Sequence, residues 1–306
     1  MFGNDVATTL VEQRTESEKT LQGGPNEQEL TAFFASIDSY VALAEKVPLG
    51  LLPELMQSYL TACTDLLQRE GGTLDKYVGD TVVAMFGAPS HLPDHALRSC
   101  VAALKIQTEI ADLREKFRRE EHKWPSITQG LRVRIGLNTG MALVGNMGSR
   151  NRFNYSMMGD EVNLAARMES GAKSWGVWTL CSNSTRDACE QAQQGRVLFR
   201  PLGPIIVKGR PHPLNLFEPI ALREAVTNQV KECVSLFEAG LARYLAQDWD
   251  GAEALFRRSA MLEPHQPGKS PGVVQNPSLV FLSLCANLRA SPPPPEWSGV
   301  YIVRQK

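Results

Sequence analysis

The sequence predicts an α+β sandwich, with helices packed on one face of a mainly antiparallel sheet, followed by a small helical extension. Short apolar runs and longer amphipathic runs alternate in the order β-α-β-β-α-β-β-α-β. A Gly-Asp pair joins two of the β-type runs, and the pattern becomes helical from about residue 227. These three observations indicate one α+β unit and a C-terminal helical hairpin.

The composition is typical of a globular protein. The 306 residues include 43% hydrophobic and 21% charged residues, which excludes a wholly disordered chain. With 32 Lys and Arg against 33 Asp and Glu, the chain lacks the basic excess typical of nucleic-acid binding. We therefore expect no nucleic-acid partner.

The six cysteines and the longest apolar run indicate the cellular compartment of the chain. No two cysteines form a C-x-x-C pair, so we expect free thiols in a reducing environment. The apolar run at residues 279–285 is far shorter than the roughly 20 residues that span a bilayer. We expect a cytoplasmic chain without membrane contact of its own.

The first part of the chain yields a linker, a strand and a helix. Polar residues 1–29 predict a flexible linker, with one short helix near residues 6–13. The aromatic, apolar run at 30–38 predicts a buried strand. Apolar residues at helical spacing predict a helix over 51–69, which Gly71 and Gly72 end.

The middle of the chain adds a hairpin, a long helix and a strand pair. Residues Thr73–Val78 and Thr81–Phe86 flank the Gly-Asp pair and predict the hairpin. Asp94 is a candidate N-cap for the long helix. Residues 131–137 alternate as a strand, residues 138–140 predict a turn, and 141–147 predict the returning strand.

The next segments complete the α+β unit. A helix is predicted from the Gly-Asp pair at 159–160 through Met168. Shorter strands are expected near residues 177–181, 196–200, 205–208 and 214–219.

The C-terminal segment resembles one helix-turn-helix of tetratricopeptide type. Its pattern depends on small, aromatic and proline residues at characteristic spacing: Phe237, Gly240, Leu241, Tyr244, Ala252, Phe256, Ala260 and Pro264. One such repeat cannot form a stable solenoid, so we expect it to pack on the main domain or on a partner. The predicted division is a linker at 1–29, a main domain at 30–222 and an extension at 227–306.

Three motif groups, in this order and at these spacings, carry a family resemblance. They are K-Y-V-G-D followed by A-M-F-G at 76–87, R-I-G-L-N-T-G followed by G-N-M-G-S at 134–149, and Y-S-M-M-G-D-E-V-N-L-A-A-R-M at 155–168. Together they resemble the catalytic domain of class III nucleotide cyclases over roughly residues 30–220. The resemblance implies the ferredoxin-like cyclase sandwich and conversion of ATP to 3′,5′-cyclic AMP and pyrophosphate in intracellular signalling. The C-terminal segment resembles the tail of longer, membrane-anchored bacterial adenylate cyclases.

The resemblance assigns roles to the motif residues. Asp80 would bind Mg²⁺ or Mn²⁺, and hard cations do prefer carboxylate oxygens. Lys76 would contact a ring nitrogen of adenine and Ser156 its exocyclic amine, which favours ATP over GTP. Taken alone, Asp80 is typical of a turn, and Lys76 and Ser156 are typical of ordinary strand positions.

Other residues would act on the ribose and the phosphates. Asn163 and Arg167 are four residues apart and share one helix face, where the family orients the ribose and stabilises transition-state charge. Lys208 matches a lysine that meets the terminal phosphates, and Arg150 or Arg152 could assist. The alternative for these positions is a solvated face or loop.

One position departs from the family. The second metal-binding Asp of the first strand is replaced by Ser36, and a hydroxyl is a poor ligand for a divalent cation. Asp38 is two residues further on and would lie about 6 to 7 Å away. The alternative function is therefore a catalytically impaired homologue that binds nucleotide or dimerises to regulate a partner. A third is an interaction protein that acts through the C-terminal hairpin.

The resemblance also implies a homodimer with two shared active sites. Ser36 and Asp80 would come from one chain, and Lys76, Ser156, Asn163 and Arg167 from the other. A monomer should then be inactive.

Overall fold

The computed structural model describes residues 25–149, 152–206, 213–294 and 296–302. The strands are β1 (Asn26–Ile37), β2 (Thr73–Val78), β3 (Thr81–Phe86), β4 (Val133–Ser149), β5 (Arg152–Met158), β6 (Thr179–Ser182), β7 (Val197–Ile206), β8 (Leu214–Leu222) and β9 (Tyr301–Ile302). The helices are α1 (Tyr40–Lys46), α2 (Leu52–Arg69), α3 (His95–Arg119), α4 (Asp160–Trp175), α5 (Asn183–Ala192), α6 (Asn228–Leu245), α7 (Trp249–Leu262) and α8 (Pro277–Ala290).

One sheet runs through the described chain. Its strand order is β2-β3-β1-β4-β6-β8-β7-β9, and β5 pairs with β4 beside this path. The β4–β6 and β7–β9 pairs are parallel, and the other pairs are antiparallel. The predicted α+β class with a mainly antiparallel sheet is confirmed.

Helices cover both faces of this sheet, so the expectation that they pack on one face is wrong. Phe33 and Ala35 of β1 point into a core shared with α2 and α3. Leu30 and Ala32 point to the opposite face, in a cluster with α4. Consecutive residues of β1, which point to opposite faces of the sheet, are apolar because the central strands are buried on both faces.

The turn predicted at Asn138, Thr139 and Gly140 is also wrong, because β4 continues through it as one long strand. The buried Asn138 side chain donates to the backbone oxygen of Glu161 at 2.9 Å and to its Oε2 at 2.8 Å. Ser182 Oγ donates to Asn138 Oδ1 at 2.5 Å. Tertiary partners therefore satisfy an amide that, in the sequence alone, is typical of a turn.

Several predicted boundaries change. Strand β1 begins at Asn26, inside the predicted linker, because residues from 26 onward pair with β4. The two strands expected at 196–200 and 205–208 are the single strand Val197–Ile206, whose pairing with β8 is interrupted by irregularities. The helix expected near residues 6–13 lies outside the described residues.

Two helix predictions are right in place and wrong in detail. Helix α3 begins after Asp94, but that carboxylate accepts from Arg98 Nε at 2.9 Å and caps no backbone N–H. Helix α4 extends past Met168 to Trp175, where Gly176 in the left-handed conformation ends it. Helices α1 and α5 were not predicted.

The C-terminal segment forms the predicted hairpin from α6 and α7, and α8 adds a third helix. Gly240 allows the hairpin to pack closely, since a Cβ there would lie 2.8 Å from the Phe256 ring. Phe237, Phe256 and Phe281 share one buried cluster with Trp175 of α4. The helices thus pack on the second face of the sheet. The boundaries 30–222 and 227–306 stay predictions.

A buried ion cluster also joins the sheet to these helices. Arg200 of β7 is 1% exposed and donates to Glu263 just after α7 at 2.6 Å and to Glu218 of β8 at 2.8 Å.

Within the described ranges, no helix combines the length and the apolar character needed to cross a bilayer.

Candidate active site

Two of the residues predicted to bind the substrate lie close together at one edge of the sheet. Lys76 lies on β2 and Ser156 on β5, and Lys76 Nζ is 3.2 Å from Ser156 Oγ. Lys76 is exposed, whereas Ser156 is 7% exposed. The structure therefore brings together a cation and a hydroxyl that are 80 residues apart in sequence.

A third residue of this group, Asp75, was missed by the sequence analysis. Ser156 Oγ donates to Asp75 Oδ2 at 2.8 Å, and Lys76 Nζ is 3.5 Å from the same oxygen. The Asp75 side chain is 1% exposed, and its buried Oδ1 has no hydrogen-bond partner within the described chain. The Ser156 proton is directed to Asp75, and one lone pair of the serine oxygen accepts from Lys76, so the other lone pair remains available as an acceptor.

The local backbone of β2 explains why the sequence does not predict a role for Asp75. Neighbouring residues of a regular strand point to opposite faces, which would separate Asp75 from Lys76. The pairing of β2 with β3 shifts between Leu74 and Lys76. Such an irregularity re-aims side chains and brings the two charges to one side. No sequence signal marks this shift.

The predicted metal residues form a second group, at the start of β3 and the end of β1. Gly79 has a φ of 63°, which allows the tight turn before Asp80. Asp80 Oδ2 accepts from the backbone N–H of Ile37 at 2.8 Å. Ser36, Ile37, Asp80 and Thr81 line one open cleft.

Ser36 is bound to a carboxylate from α4. Its Oγ donates to Glu169 Oε1 at 2.5 Å. Glu169 also accepts from Arg134 Nε at 3.3 Å, and Arg134 forms an ion pair with Asp38. Asp38 is therefore engaged by an arginine, and it does not take the place of the carboxylate that Ser36 lacks.

These groups fit one hard divalent cation. Asp80 keeps one carboxylate oxygen beyond its bond to Ile37, and the Ser36 hydroxyl and main-chain oxygens supply neutral donors. Across the described ranges, no three Asp, Glu, His or Cys side chains converge as a metal site. Position 36 is a serine, so it does not supply the second carboxylate that a site for two cations would be expected to have.

The predicted ribose and phosphate residues lie on α4. Asn163 and Arg167 are both exposed, on the helix face away from the sheet. Gly136 of β4 allows this helix to approach, because a Cβ there would collide with the backbone of Ala165 and Glu169. Lys208 and Arg150 lie outside the described residues, as does the side chain of Arg152.

The Lys76 and Asp80 groups make no direct polar contact with each other in the described part of one chain. Among the described residues, no hydrogen bond or ion pair joins Lys76 or Ser156 to Asp80 or Ser36. The strands beside Lys76 and Ser156 expose large apolar side chains. These are Tyr77, Val78, Met141, Leu143 and Met158. Leu143 and Met158 are cross-strand partners in the β4–β5 pair.

The chain belongs to the adenylate and guanylate cyclase catalytic domain family, whose model matches residues 24–218. It is 32% identical over 203 residues to adenylate cyclase 1 of Rhizobium meliloti, covering 65% of this chain and 28% of that protein. The chain thus spans well under half the length of that relative.

Solved structures agree with the fold. The adenylyl cyclase CyaB from P. aeruginosa is similar with a TM-score of 0.59 and 29% identity, over 67% of this chain and all of that one. The guanylyl cyclase Cya2 is similar with a TM-score of 0.56 and 24% identity, over 67% of this chain and 98% of that one. The predicted family and fold are confirmed. Because the family contains both adenylate and guanylate cyclases, the preference for ATP or GTP has to be inferred from the residues of the site.

Proposed function

We propose that this chain is an adenylate cyclase, which converts ATP to 3′,5′-cyclic AMP and pyrophosphate. The observation that carries the proposal is the orientation of Ser156, whose hydroxyl donates to Asp75. Its oxygen keeps a lone pair that would accept a hydrogen bond from the exocyclic amine of adenine, and Lys76 beside it would donate to a ring nitrogen. Guanine has a carbonyl oxygen in place of that amine, so it offers Ser156 no donor.

The reaction is an in-line displacement. The ribose 3′-oxygen loses its proton and bonds to the α-phosphorus, while the bond from that phosphorus to the pyrophosphate oxygen breaks. Asn163 is assigned to hold the ribose, and Arg167 to stabilise the charge on the phosphates in the transition state. Lys208 is assigned to bind the terminal phosphates.

Asp80, Ser36 and main-chain oxygens near Ile37 would hold Mg²⁺ or Mn²⁺. When bound, the cation supplies Lewis-acid stabilisation of charge on the phosphate and ribose oxygens. Glu169 keeps the Ser36 hydroxyl oriented through its hydrogen bond.

The active unit is proposed to be a homodimer in which each site uses both chains. The separation of the Lys76 and Asp80 groups supports this, because one chain alone does not join them. The exposed apolar side chains on β2, β4 and β5 lie next to the first group and suit a protein interface. A C₂ dimer would complete two equivalent sites.

A second function is favoured by one observation, the neutral Ser36 at the second metal position. In this reading the chain is an impaired cyclase that binds nucleotide and regulates through its dimer. Ser36→Asp separates the two functions, although the new carboxylate would face Glu169 and would be expected to displace it. We therefore pair it with Ser36→Asp/Glu169→Gln.

The test is cyclic nucleotide formation by purified protein with Mn²⁺, from ATP and from GTP in parallel assays. An adenylate cyclase should form cyclic AMP, prefer ATP, and lose activity in Asp80→Ala. The matched control is Asp65→Ala, an acid on α2 outside the site. Activity that appears only after position 36 becomes Asp would favour the impaired homologue. A preference for GTP would contradict the role given to Ser156.

A further inference from the structure

A cavity of about 370 Å³ lies between α3, β8 and the segment that follows α7. None of the candidate active-site residues that the structure describes line it. Its polar wall includes Arg114, Arg132 and His265, and its apolar wall includes Trp178 and Ile220. The volume is within the range of small-molecule sites.

Arg132 is the most buried of the cationic groups, at 5% exposure. Its Nε donates to the backbone oxygen of Pro271 at 3.0 Å, and its guanidinium carbon is 5.3 Å from the Trp178 ring centre. Its two terminal amino groups donate to no acceptor in the described part of the chain. A buried cation without a counter-charge is costly, so an anion would relieve that cost.

A second arginine is beside the first. Arg114 of α3 donates from Nη1 to the backbone oxygen of Leu131 at 2.9 Å, and it forms no ion pair with any described carboxylate. Among the described residues, Glu218 is the one carboxylate on the cavity wall, and it is engaged by Arg200 at 2.7 Å. Two guanidinium groups therefore face this cavity without a free carboxylate to balance them.

The surroundings of the cavity are correspondingly electropositive. Burial, with repulsion from Arg114, lowers the pKa of Arg132 to about 10. Burial, with repulsion from Arg132, Arg114 and, to a lesser extent, Arg200, lowers the pKa of His265 to about 4, against an opposite effect of Glu263. His265 is therefore neutral near pH 7 and acts as a reporter of charge in the cavity.

We propose that this cavity binds a small organic anion, whose carboxylate or phosphate pairs with Arg132 and Arg114 while its apolar part contacts Trp178 and Ile220. Paired guanidinium groups match the oxygens of both anions. Because Arg132 is also bonded to Pro271, and His265 follows α7, the ligand would join the sheet to the C-terminal extension. The cavity is distinct from the described residues of the proposed ATP site.

The test is a calorimetric titration of the full chain with phenyl phosphate, benzoate and benzyl alcohol, followed by NMR of the His265 imidazole. At least one anionic probe should bind saturably, and about tenfold more tightly than the neutral alcohol. Comparison of benzoate with phenyl phosphate distinguishes a carboxylate site from a phosphate site. Binding should raise the pKa of His265, because added negative charge offsets the two arginines.

Arg132→Met and Arg114→Met should each weaken binding by about tenfold or more. Arg257→Met is the matched control, since this exposed arginine pairs with Glu253 on α7 away from the cavity. If Arg132→Met does not fold, Arg114→Met decides, because that side chain is only partly buried. The proposal is overturned if no anionic probe binds up to about 10 mM, or if binding survives the decisive substitution unchanged.

Discussion

Replacing Arg200 by Met should greatly destabilise the protein, because this arginine is the centre of the buried ion cluster. Its guanidinium donates to both oxygens of Glu263, at 2.6 and 3.1 Å, and to Glu218. It also lies 5.0 Å from the Phe237 ring centre. Glu263 is 3% exposed, so its charge cannot turn to water.

The cost follows from what remains. Arg200→Met keeps most of the side-chain volume but leaves the buried Glu263 and the partly buried Glu218 without a cation. Breaking a buried pair by removing one partner typically costs about 3 to 5 kcal/mol. Because Ser278 would still donate to Glu263 at 2.7 Å, we expect the free energy of unfolding to fall by about 3 kcal/mol. The assay is the free energy of unfolding in urea.

Arg257→Met is again the control, because its exposed ion pair with Glu253 should contribute about 0.5 kcal/mol or less. The combined Arg200→Met/Glu218→Leu/Glu263→Met variant should recover most of the loss, since no buried charge then remains unpaired. A cost for Arg200→Met no larger than that of the control would refute this reasoning.

Three further predictions concern single side chains. Because the pKa of His265 is lowered to about 4 from 6.5, the fold should lose up to about 3 kcal/mol as pH falls through that window, and His265→Gln should flatten this dependence in urea titrations. Asp75→Asn should lower the preference for ATP over GTP by about tenfold in kcat/KM, because an amide, unlike a carboxylate, can also donate to Ser156 and would no longer fix the direction of its hydroxyl. Gly136→Ala should cost about 2 kcal/mol or more in thermal unfolding, because its Cβ would strike the backbone at Glu169.

The sequence predicts best where local chemistry decides. Gly79 takes the positive φ that the β2–β3 turn needs, and the strands on either side have the predicted bounds. The helical period of 51–69 reflects one buried face, with Leu55, Tyr59, Cys63 and Leu67 inside. These features depend on neighbours in sequence, so one chain without relatives is enough to find them.

Prediction from sequence fails where tertiary partners decide. Asn138 is satisfied by Glu161 and Ser182, which a reader of the sequence has no means of placing nearby. Asp75 reaches the site through a shift in strand pairing, and Glu169 contacts Ser36 only because α4 crosses β1. The sequence motifs predict the main groups of the site, whereas the carboxylates of Asp75 and Glu169 beside them are found only in the structure.

The central proposal for this protein is that two chains complete each active site. Asp80→Ala and Lys76→Ala belong to different groups of one chain, so each variant alone should be inactive. Mixed in equal amounts and allowed to exchange, they should give half heterodimers with one intact site each, or about a quarter of wild-type cyclic AMP formation. Activity that stays at the level of the separate variants, while exchange of chains is demonstrated by mass spectrometry, would contradict the shared site.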